Sequence, residues 1–225
     1  MVTIKRLPDF KKNSYEEAAW ARNGVIAGVD EVGRGCLAGP VVAAAVILKP
    51  KKTHPLVKDS KLLDAAELQK AYSWIIKNSW YGTAIINNNL IDKINIYQAT
   101  LTCMRRAAHQ LLATAPRAPE LFVVDAMPLV LGNFQGDIIH FIYGEKKSSS
   151  IAAASIVAKV TRDAIMQRHD STFPGYNLAR HKGYSTPSHK KILIESPQSL
   201  IHRVTFIDHF VDCGQEDTQE SLLCL

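Results

Sequence analysis

The sequence predicts an α/β layered domain, because short apolar strands alternate with amphipathic helices along most of its 225 residues. An unbroken apolar run at residues 41–48 (VVAAAVIL) has the length and branched side chains of a buried strand. Apolar residues from Ile94 to Leu111 recur at spacings of three and four, as on a helix packed against a sheet. Two short apolar segments, VIAGVD and LFVVD, end in acidic residues, which is typical of strands that carry a site.

Five strands and three long helices follow from these patterns. The strands are expected at residues 25–30, 41–48, 80–86, 121–125 and 138–143. Asp64, with Glu67 three positions later, predicts a capping box and a helix that ends near residue 78. Asp92 and Ser150 are expected to cap the other two helices, and a short helix is expected near Lys190.

Composition and charge exclude several classes of protein. A hydrophobic fraction of 47% with 21% charged residues is ordinary for a globular domain, so disordered, collagenous and fibrous proteins are excluded. The net charge is +6, but all 27 basic residues and 17 of the 21 acidic ones precede residue 212. The body therefore carries +10, a weak indication of a polyanionic partner.

Targeting signals and a zinc site are not expected. The first residues are charged and contain no apolar core, so no signal peptide is predicted. No run reaches the roughly 18 apolar residues of a membrane span. Four scattered cysteines without a CxxC pair favour free thiols in a reducing cytoplasm.

Four carboxylates are candidates for a metal site. Asp30 and Glu31 close the first strand and Asp125 closes the fourth, and ligands gather at strand ends of α/β sheets. Asp163 lies in an i, i+4, i+8 row with Ser155 and Lys159. Oxygen ligands suit Mg²⁺ or Mn²⁺ rather than zinc. Each acid could instead cap a turn or face solvent, and Asp163 could simply pair with Lys159.

Two further segments could contact a phosphate or a sugar. Gly33-Arg34-Gly35 directly follows the first acids, where glycines allow a close approach of the backbone to a ligand. A third glycine is missing and a strand follows, which disfavours a dinucleotide site and leaves a plain turn as the alternative. His181-Lys182-Gly183-Tyr184 places a cation beside an aromatic ring, a pairing that suits a sugar–phosphate backbone but is also common in loops.

Taken together, these segments resemble ribonuclease HII, the bacterial type 2 ribonuclease H of the RNase H-like superfamily. The matching motifs are GVDEVGRGCLAGPVVAAAVIL (28–48), KDSKLL (58–63), IDKINIYQAT (91–100), VVDAM (123–127), AASIVAKVTRD (153–163) and HKGYSTPSH (181–189). They occur in the order of the family. The combination of DEVGRG, AKVTRD and HKGY is highly specific.

The resemblance implies a fold and a set of site residues. The fold is an RNase H-like one, a five-stranded mixed sheet flanked by helices with a small C-terminal helical extension. The catalytic and metal-binding carboxylates it implies are Asp30, Glu31, Asp125 and Asp163, holding two Mn²⁺ or Mg²⁺ ions. Residues implied to bind the substrate are Gly33, Arg34 and Gly35 at the ribose 2′-hydroxyl, Tyr184 at the next sugar, and Lys58, Ser60 and Lys61 along the nucleic acid.

The resemblance also implies an activity. It is that of a metal-dependent endoribonuclease that cuts the phosphodiester 5′ of ribonucleotides, in RNA–DNA hybrids and at single ribonucleotides in duplex DNA. The products carry 3′-hydroxyl and 5′-phosphate ends. Roles in ribonucleotide excision and RNA primer removal follow from the family. We expect a cytoplasmic monomer that acts on nucleic acid and does not associate with membranes.

The chain departs from the family pattern in places. Ala126 stands where the family usually has Gly, Leu62 where Lys is frequent, and Ala152 where Ser is usual. Residues 143–150 replace a frequent Lys-Gly-Asp and a later Pro. These departures affect loop geometry and phosphate contacts but remove no proposed metal ligand. The expected organisation is a lead-in (1–23), a catalytic domain (24–196) and a C-terminal extension with an acidic tail (197–225).

Three alternatives have their own signatures. A type III relative would show GKG in place of Gly33-Arg34-Gly35 and an extra N-terminal domain, whereas some twenty residues precede the first strand here. A non-catalytic nucleic-acid-binding protein on a decayed nuclease fold would lack one of the four carboxylates. A nucleotide-binding oxidoreductase would need the missing third glycine followed by a helix.

Overall fold

The fold is a five-stranded mixed sheet with helices on both faces, as described for residues 11–207 by a computed structural model. The strands are β1 (Ile26–Val32), β2 (Val41–Leu48), β3 (Ser79–Ile86), β4 (Leu121–Asp125) and β5 (Asp137–Phe141). Their order across the sheet is β3-β2-β1-β4-β5. β1, β2 and β3 pair antiparallel, while β4 runs parallel to both β1 and β5. The predicted fold class is confirmed.

Seven complete α-helices and one short 3-10 helix lie in the described residues, and residues 204–207, at the edge of the described part of the chain, are also helical. The complete helices are α1 (Ser14–Ala21), the 3-10 helix (Ser60–Leu62), α2 (Ala65–Asn78), α3 (Asn88–Thr114), α4 (Gly144–Lys147), α5 (Ser149–Thr172), α6 (Leu178–His181) and α7 (Pro187–Glu195). No helix within residues 11–207 is both long and apolar enough to cross a membrane. The predicted acidic tail, residues 212–225, lies outside the described part of the chain.

Of the three predicted helix caps, one is confirmed and two are wrong. The capping box at the start of α2 is present, with the Glu67 N–H donating to Asp64 Oδ1 over 2.8 Å and the Asp64 N–H donating to Glu67 Oε2 over 3.2 Å. α3 begins earlier than predicted, because Asn87 Oδ1 accepts from the N–H of Leu90 over 3.0 Å. Asp92 therefore lies inside α3 and does not cap it.

Asp92 contributes instead to a contact between distant parts of the chain. Its carboxylate accepts the backbone N–H groups of Val204 and Thr205 over 3.0 and 3.2 Å. Three residues on, Asn95 has a positive φ of 64° and interrupts the helical geometry of α3. Its side chain accepts from the N–H of Gln98 over 3.0 Å and so caps the second half of α3.

The start of α5 is buried and differs from the prediction. Ser148, not Ser150, is the N-cap, with its hydroxyl accepting from the N–H of Ile151 over 3.2 Å. Glu16, fully buried on α1, accepts the Ser150 N–H over 3.0 Å and the Ser148 hydroxyl over 2.5 Å. A carboxylate is stabilised by the positive end of a helix dipole. The predicted lead-in thus contains a helix that docks on α5.

Two apolar layers lie on opposite faces of the sheet. α3 packs on one face, and α2 and α5 pack on the other. Small residues let α5 approach closely, since a Cβ on Gly28 of β1 would lie 2.1 Å from the carbonyl carbon of Ser150. The helix that carries Asp163 is therefore held tightly against the strand that carries Asp30.

The segment after α7 packs back onto the domain as far as residue 207. His202, Arg203 and Ile207 are buried, and the Gly39 N–H donates to Ile201 O over 2.8 Å. The two described cysteines, Cys36 and Cys103, are buried free thiols, as predicted. Cys213 and Cys224 lie outside the described residues.

Candidate active site

An acidic cavity of about 180 Å³ lies where the parallel strands β1 and β4 end. Its walls contain five carboxylates and two ammonium groups. Because the acidic groups outnumber the basic ones, the lining favours a cation. The residues that line this acidic cavity are Asp30, Glu31, Val32, Asp59, Ser60, Lys61, Asp125, Glu145, Ser155, Lys159 and Tyr184.

Asp30 is the most buried of the predicted ligands, with 7% of its surface exposed. Burial raises the pKa of Asp30 well above its usual range, and the negative charges of Glu31 and Asp125 raise it further. Hydrogen bonds from the Ser155 side chain and from the Glu31 N–H (2.7 Å to Oδ1) act in the opposite direction. The carboxyl group is therefore short of positive charge.

Glu31 keeps one oxygen free of protein contacts. Its Oε1 accepts from Arg34 Nη1 over 3.4 Å, while Oε2 is buried and has no hydrogen-bond partner in the described residues. The pKa of Glu31 is raised to about 7, mainly by burial. The charge of Arg34 lowers this pKa, and the charge of Asp125 raises it. An unpartnered buried carboxylate oxygen is costly, so it marks a position where an external cation would be stabilised.

Asp125 ends β4 beside Asp30. The Gly144 N–H donates to its Oδ1 over 2.8 Å. Burial raises the pKa of Asp125, Glu145 raises it further, and the Gly144 hydrogen bond and Lys61 lower it. The next residue, Ala126, has a φ of 52°, in the left-handed region that favours glycine. This geometry explains why the family pattern has Gly where this chain has Ala.

Asp163 lies outside the lining of the acidic cavity. Its Oδ2 accepts from Lys159 Nζ over 2.9 Å, so the predicted alternative of an Asp–Lys pair is present. The pair is not a free surface feature, because the Asp163 side chain is 20% exposed and its Oδ1 is buried without a partner. Lys159 itself lines the cavity, so Asp163 is in direct contact with a residue of the lining.

The donor set fits a hard divalent cation. The candidate ligands are carboxylate oxygens, and two of these, Glu31 Oε2 and Asp163 Oδ1, are buried without partners. Within residues 11–207, however, no group of three or more Asp, Glu, His or Cys side chains is arranged so that it could hold a metal ion. One of the four predicted ligands, Asp163, is paired with Lys159 instead.

The two glycines of Gly33-Arg34-Gly35 meet different needs. Gly33 has a φ of 94°, and a Cβ there would lie 2.2 Å from Arg162 Nε, so the fold itself requires this glycine. A Cβ on Gly35 would meet nothing within 4 Å. The space beside Gly35 therefore lies open to a ligand, although neither glycine lines the acidic cavity.

Tyr184 connects this loop to the acidic cavity. An antiparallel bridge pairs Tyr184 with Cys36, and the Leu37 N–H donates to Gly183 O over 2.8 Å. Tyr184 is 39% exposed and lines the cavity. The structure thus brings the two predicted substrate-binding segments together.

Two of the three residues predicted to lie along the nucleic acid line the cavity, namely Ser60 and Lys61. Ser60 is buried, and its hydroxyl lies 3.0 Å from that of Ser155, which in turn hydrogen-bonds to Asp30. Lys61 lines the cavity, whereas Lys58 does not.

Sequence reasoning missed four residues at this site. Asp59 and Glu145 line the acidic cavity, and Arg162 and Arg203 are fully buried behind the loop that follows β1. Glu145 lies in segment 143–150, where the family pattern has the acid of a Lys-Gly-Asp sequence. That correspondence could have identified Glu145 from the sequence. Nothing in the local sequence around Arg203 indicated a contact with the loop.

Comparisons with known proteins identify the family and the fold of this chain. The family model described as Ribonuclease HII matches residues 27–209. A Ribonuclease HII of Levilactobacillus brevis is 47% identical over 193 residues, covering 85% of this chain and 72% of that protein. The ribonuclease H2 of Pyrococcus horikoshii shares the fold with a TM-score of 0.71 at 24% identity, covering 84% and 97% of the chains. Bst-RNase HIII in complex with Mn²⁺ shares it with a TM-score of 0.67 at 17% identity, covering 92% and 76%.

Proposed function

The chain belongs to the ribonuclease HII family and is therefore a ribonuclease H, a metal-dependent endonuclease that acts on nucleic acid, and we propose that the acidic cavity is its active site. We propose further that it cuts the phosphodiester on the 5′ side of a ribonucleotide. The substrates are RNA–DNA hybrids and DNA duplexes that contain single ribonucleotides. The products carry 3′-hydroxyl and 5′-phosphate ends.

The observation that carries this proposal is the meeting of Asp30, Glu31 and Asp125 in one cavity. All three have a raised pKa, and Glu31 Oε2 has no partner in the described residues, so positive charge is what the group lacks. We propose that these three side chains hold divalent ions and that Asp163 completes a second site after leaving Lys159. Two such ions, when bound, neutralise the phosphate, activate a water and stabilise the departing oxygen.

Other side chains orient the acids and the scissile phosphate. Ser155 hydrogen-bonds to Asp30 and fixes the direction of its carboxyl group. The Ser60 hydroxyl hydrogen-bonds to that of Ser155 and so helps to position it. Lys61 places a positive charge on the cavity wall, where it can attract the phosphate. We propose that Lys58 makes a more distant backbone contact. Water attacks the phosphorus atom and loses a proton to solvent, the bond between phosphorus and the 3′-oxygen of the preceding nucleotide breaks, and that oxygen takes up a proton to become the 3′-hydroxyl.

Recognition of the ribonucleotide is assigned to the loop and to Tyr184. The 2′-hydroxyl distinguishes a ribonucleotide from the DNA around it. Gly33, Arg34 and Gly35 let the backbone approach that hydroxyl, with open space beside Gly35. The partly exposed Tyr184 packs on the next sugar, where its shape disfavours a second 2′-hydroxyl without preventing cleavage of RNA–DNA hybrids. A junction from RNA to DNA is therefore preferred.

We propose Mn²⁺ or Mg²⁺ as the cofactor, two ions per site, because carboxylate oxygens suit both. The Mn²⁺ bound by Bst-RNase HIII, which shares the fold, supports this choice. We also propose a cytoplasmic monomer, organised as predicted, that serves ribonucleotide excision and RNA primer removal. The body charge of +10 should make duplex binding sensitive to salt.

The test is cleavage of an end-labelled DNA duplex that contains one ribonucleotide, in Mn²⁺ or in Mg²⁺. We expect one nick on the 5′ side of the ribonucleotide, and no nick in an otherwise identical DNA duplex. A folded protein that cuts neither duplex in either metal would contradict the proposed function. Cleavage on the 3′ side would contradict the proposed chemistry.

A further inference from the structure

Two fully buried arginines, Arg162 and Arg203, lie behind the loop that carries Gly33-Arg34-Gly35. Every hydrogen bond that their guanidinium groups make within the described residues goes to a backbone carbonyl, seven bonds in all. Burying a charge is costly unless it is fully hydrogen-bonded, so these carbonyls are held firmly in place. We call the two side chains the arginine pair.

Arg203 holds the carbonyls of the recognition loop itself. Its Nη1 donates to Arg34 O over 2.8 Å and its Nη2 to Gly33 O over 2.7 Å. Nε and Nη2 also donate to Gly39 O, over 3.0 and 2.9 Å. A rigid guanidinium thus connects the start and the end of the loop, a pattern of contacts that one ammonium group cannot reproduce.

Arg203 is itself firmly positioned. Its backbone N–H donates to Leu37 O over 2.8 Å, and its guanidinium lies 5.1 Å from the ring centre of Phe206. Burial lowers the pKa of Arg203 to about 10, so the group stays charged at neutral pH. The loop is therefore bound to a fixed, charged group that comes from the far end of the described chain.

The direction of the two carbonyls determines the direction of two N–H groups. All described peptide bonds are trans, and across a trans peptide the C=O and the following N–H point in opposite directions. Since Gly33 O and Arg34 O point to Arg203, the N–H groups of Arg34 and Gly35 point away from it. Neither N–H has a protein acceptor in residues 11–207, and the space beside Gly35 is open.

We propose that Arg203 is a positioning residue for ribonucleotide recognition, aiming the N–H groups of Arg34 and Gly35 at the 2′-oxygen of the substrate. This inference rests on the proposed function, because it deepens the role assigned to the same loop. The donor groups are the two amides, and Arg203 acts through them without touching the substrate.

Arg162 provides a matched control. It is also fully buried and donates to carbonyls, but to those of Ala38, Pro40 and Lys182 over 2.8 to 3.1 Å. Its guanidinium lies 5.6 Å from the ring centre of Tyr184. Replacing Arg162 therefore disturbs the same loop and the Tyr184 segment, but not the carbonyls of Gly33 and Arg34.

The experiment measures how strongly the protein prefers a ribonucleotide in the absence of cleavage. Full-length Asp30→Asn protein is titrated by fluorescence anisotropy with a duplex that contains one ribonucleotide and with the matched DNA duplex. One or two hydrogen bonds to the 2′-oxygen correspond to a preference of about tenfold or more. We expect Arg203→Lys to remove most of this preference while affinity for the DNA duplex stays within about twofold, and Arg162→Lys to retain the preference.

Three outcomes overturn the proposal or its basis. A folded Arg203→Lys variant that keeps the full preference overturns the positioning role. An equal loss of preference in Arg162→Lys also overturns it, since general loosening of the loop then suffices. If the Asp30→Asn parent shows no preference and the wild-type protein does not cleave, the proposed function has failed instead.

A second measurement needs no arginine substitution and covers the case in which Arg203→Lys does not fold. In amide NMR spectra of the Asp30→Asn protein, the resonances of Arg34 and Gly35 should shift with the ribonucleotide duplex and remain nearly unchanged with the DNA duplex. Identical shifts with both duplexes would contradict the proposed direction of these N–H groups.

Discussion

The acidic cavity and the arginine pair treat buried charge in opposite ways. The guanidinium groups of Arg162 and Arg203 make seven hydrogen bonds to six backbone carbonyls. The carboxylates of the cavity repel one another and leave Glu31 Oε2 and Asp163 Oδ1 without partners in the described residues. Charge that is satisfied internally fixes the geometry of a loop, whereas charge that is left unsatisfied is available to an external cation.

Asp30→Asn is expected to have the largest effect of any change to the cavity. It removes a charge that should hold metal, so cleavage should fall by about a thousandfold or more, which corresponds to ~4 kcal/mol. The melting temperature should not fall, because neutralising a buried carboxylate relieves its repulsion with Glu31 and Asp125. Single-turnover cleavage and thermal unfolding test both parts. A cleavage rate within tenfold of wild type would remove Asp30 from the site.

The raised pKa of Glu31 predicts a pH dependence that Arg203 does not share. Between its usual value of 4.5 and about 7, Glu31 is ionised in the unfolded chain but protonated in the folded protein. The folded state then binds more protons, so stability falls as pH rises through this window, by up to about 3 kcal/mol. Arg203, with a pKa of about 10, stays protonated throughout.

Urea unfolding in a chelator, at several pH values, measures this contribution. Glu31→Gln should abolish it, so the variant should gain stability relative to wild type as pH rises from 4.5 to 7. A stability difference that does not vary with pH would show that Glu31 is not buried in the way described.

The two glycines of the loop separate the requirements of the fold from those of the substrate. Gly33→Ala should destabilise the protein by about 1–3 kcal/mol, because its φ is 94° and a Cβ would meet Arg162. Gly35→Ala should leave the melting temperature unchanged but reduce cleavage at a single ribonucleotide by about tenfold. Thermal unfolding and cleavage assays measure the stability and the activity of both variants. Equal losses of stability would contradict the distinction.

Ala126→Gly should have the smallest effect, and it should be favourable. Ala126 adopts a φ of 52° directly after Asp125, a conformation that costs about 1 kcal/mol more for alanine than for glycine. The variant should therefore be more stable by about that amount, with cleavage retained. Urea unfolding provides the check, and a variant less stable than wild type would refute the assigned strain.

Features set by local sequence were predictable, and features set by distant contacts were not. The capping box of Asp64 and Glu67 involves four consecutive positions and was correctly predicted. Asp92 was wrongly predicted to be a cap because its carboxylate binds the backbone of residues 204 and 205 instead. Asn87, which does cap α3, stands in a run of three asparagines that offers several starting points.

The same distinction applies to the site. The proximity of Asp30 and Asp125 follows from two apolar strands that end in acids, because neighbouring parallel strands end at one edge of a sheet. The contacts of Arg203 with Gly33 and Arg34 join residues about 170 positions apart, and no local pattern encodes them. The pairing of Asp163 with Lys159 was foreseen as the simpler alternative, and the burial of that pair was not.

The most direct test of the central claim is the position of bound Mn²⁺ in crystals of the wild-type protein, located by anomalous scattering. Anomalous density within about 2.5 Å of carboxylate oxygens of Asp30, Glu31 and Asp125 is the predicted result. Asp163 should then be found turned away from Lys159. Mn²⁺ bound elsewhere, with the acidic cavity holding none at saturating concentration, would contradict the account.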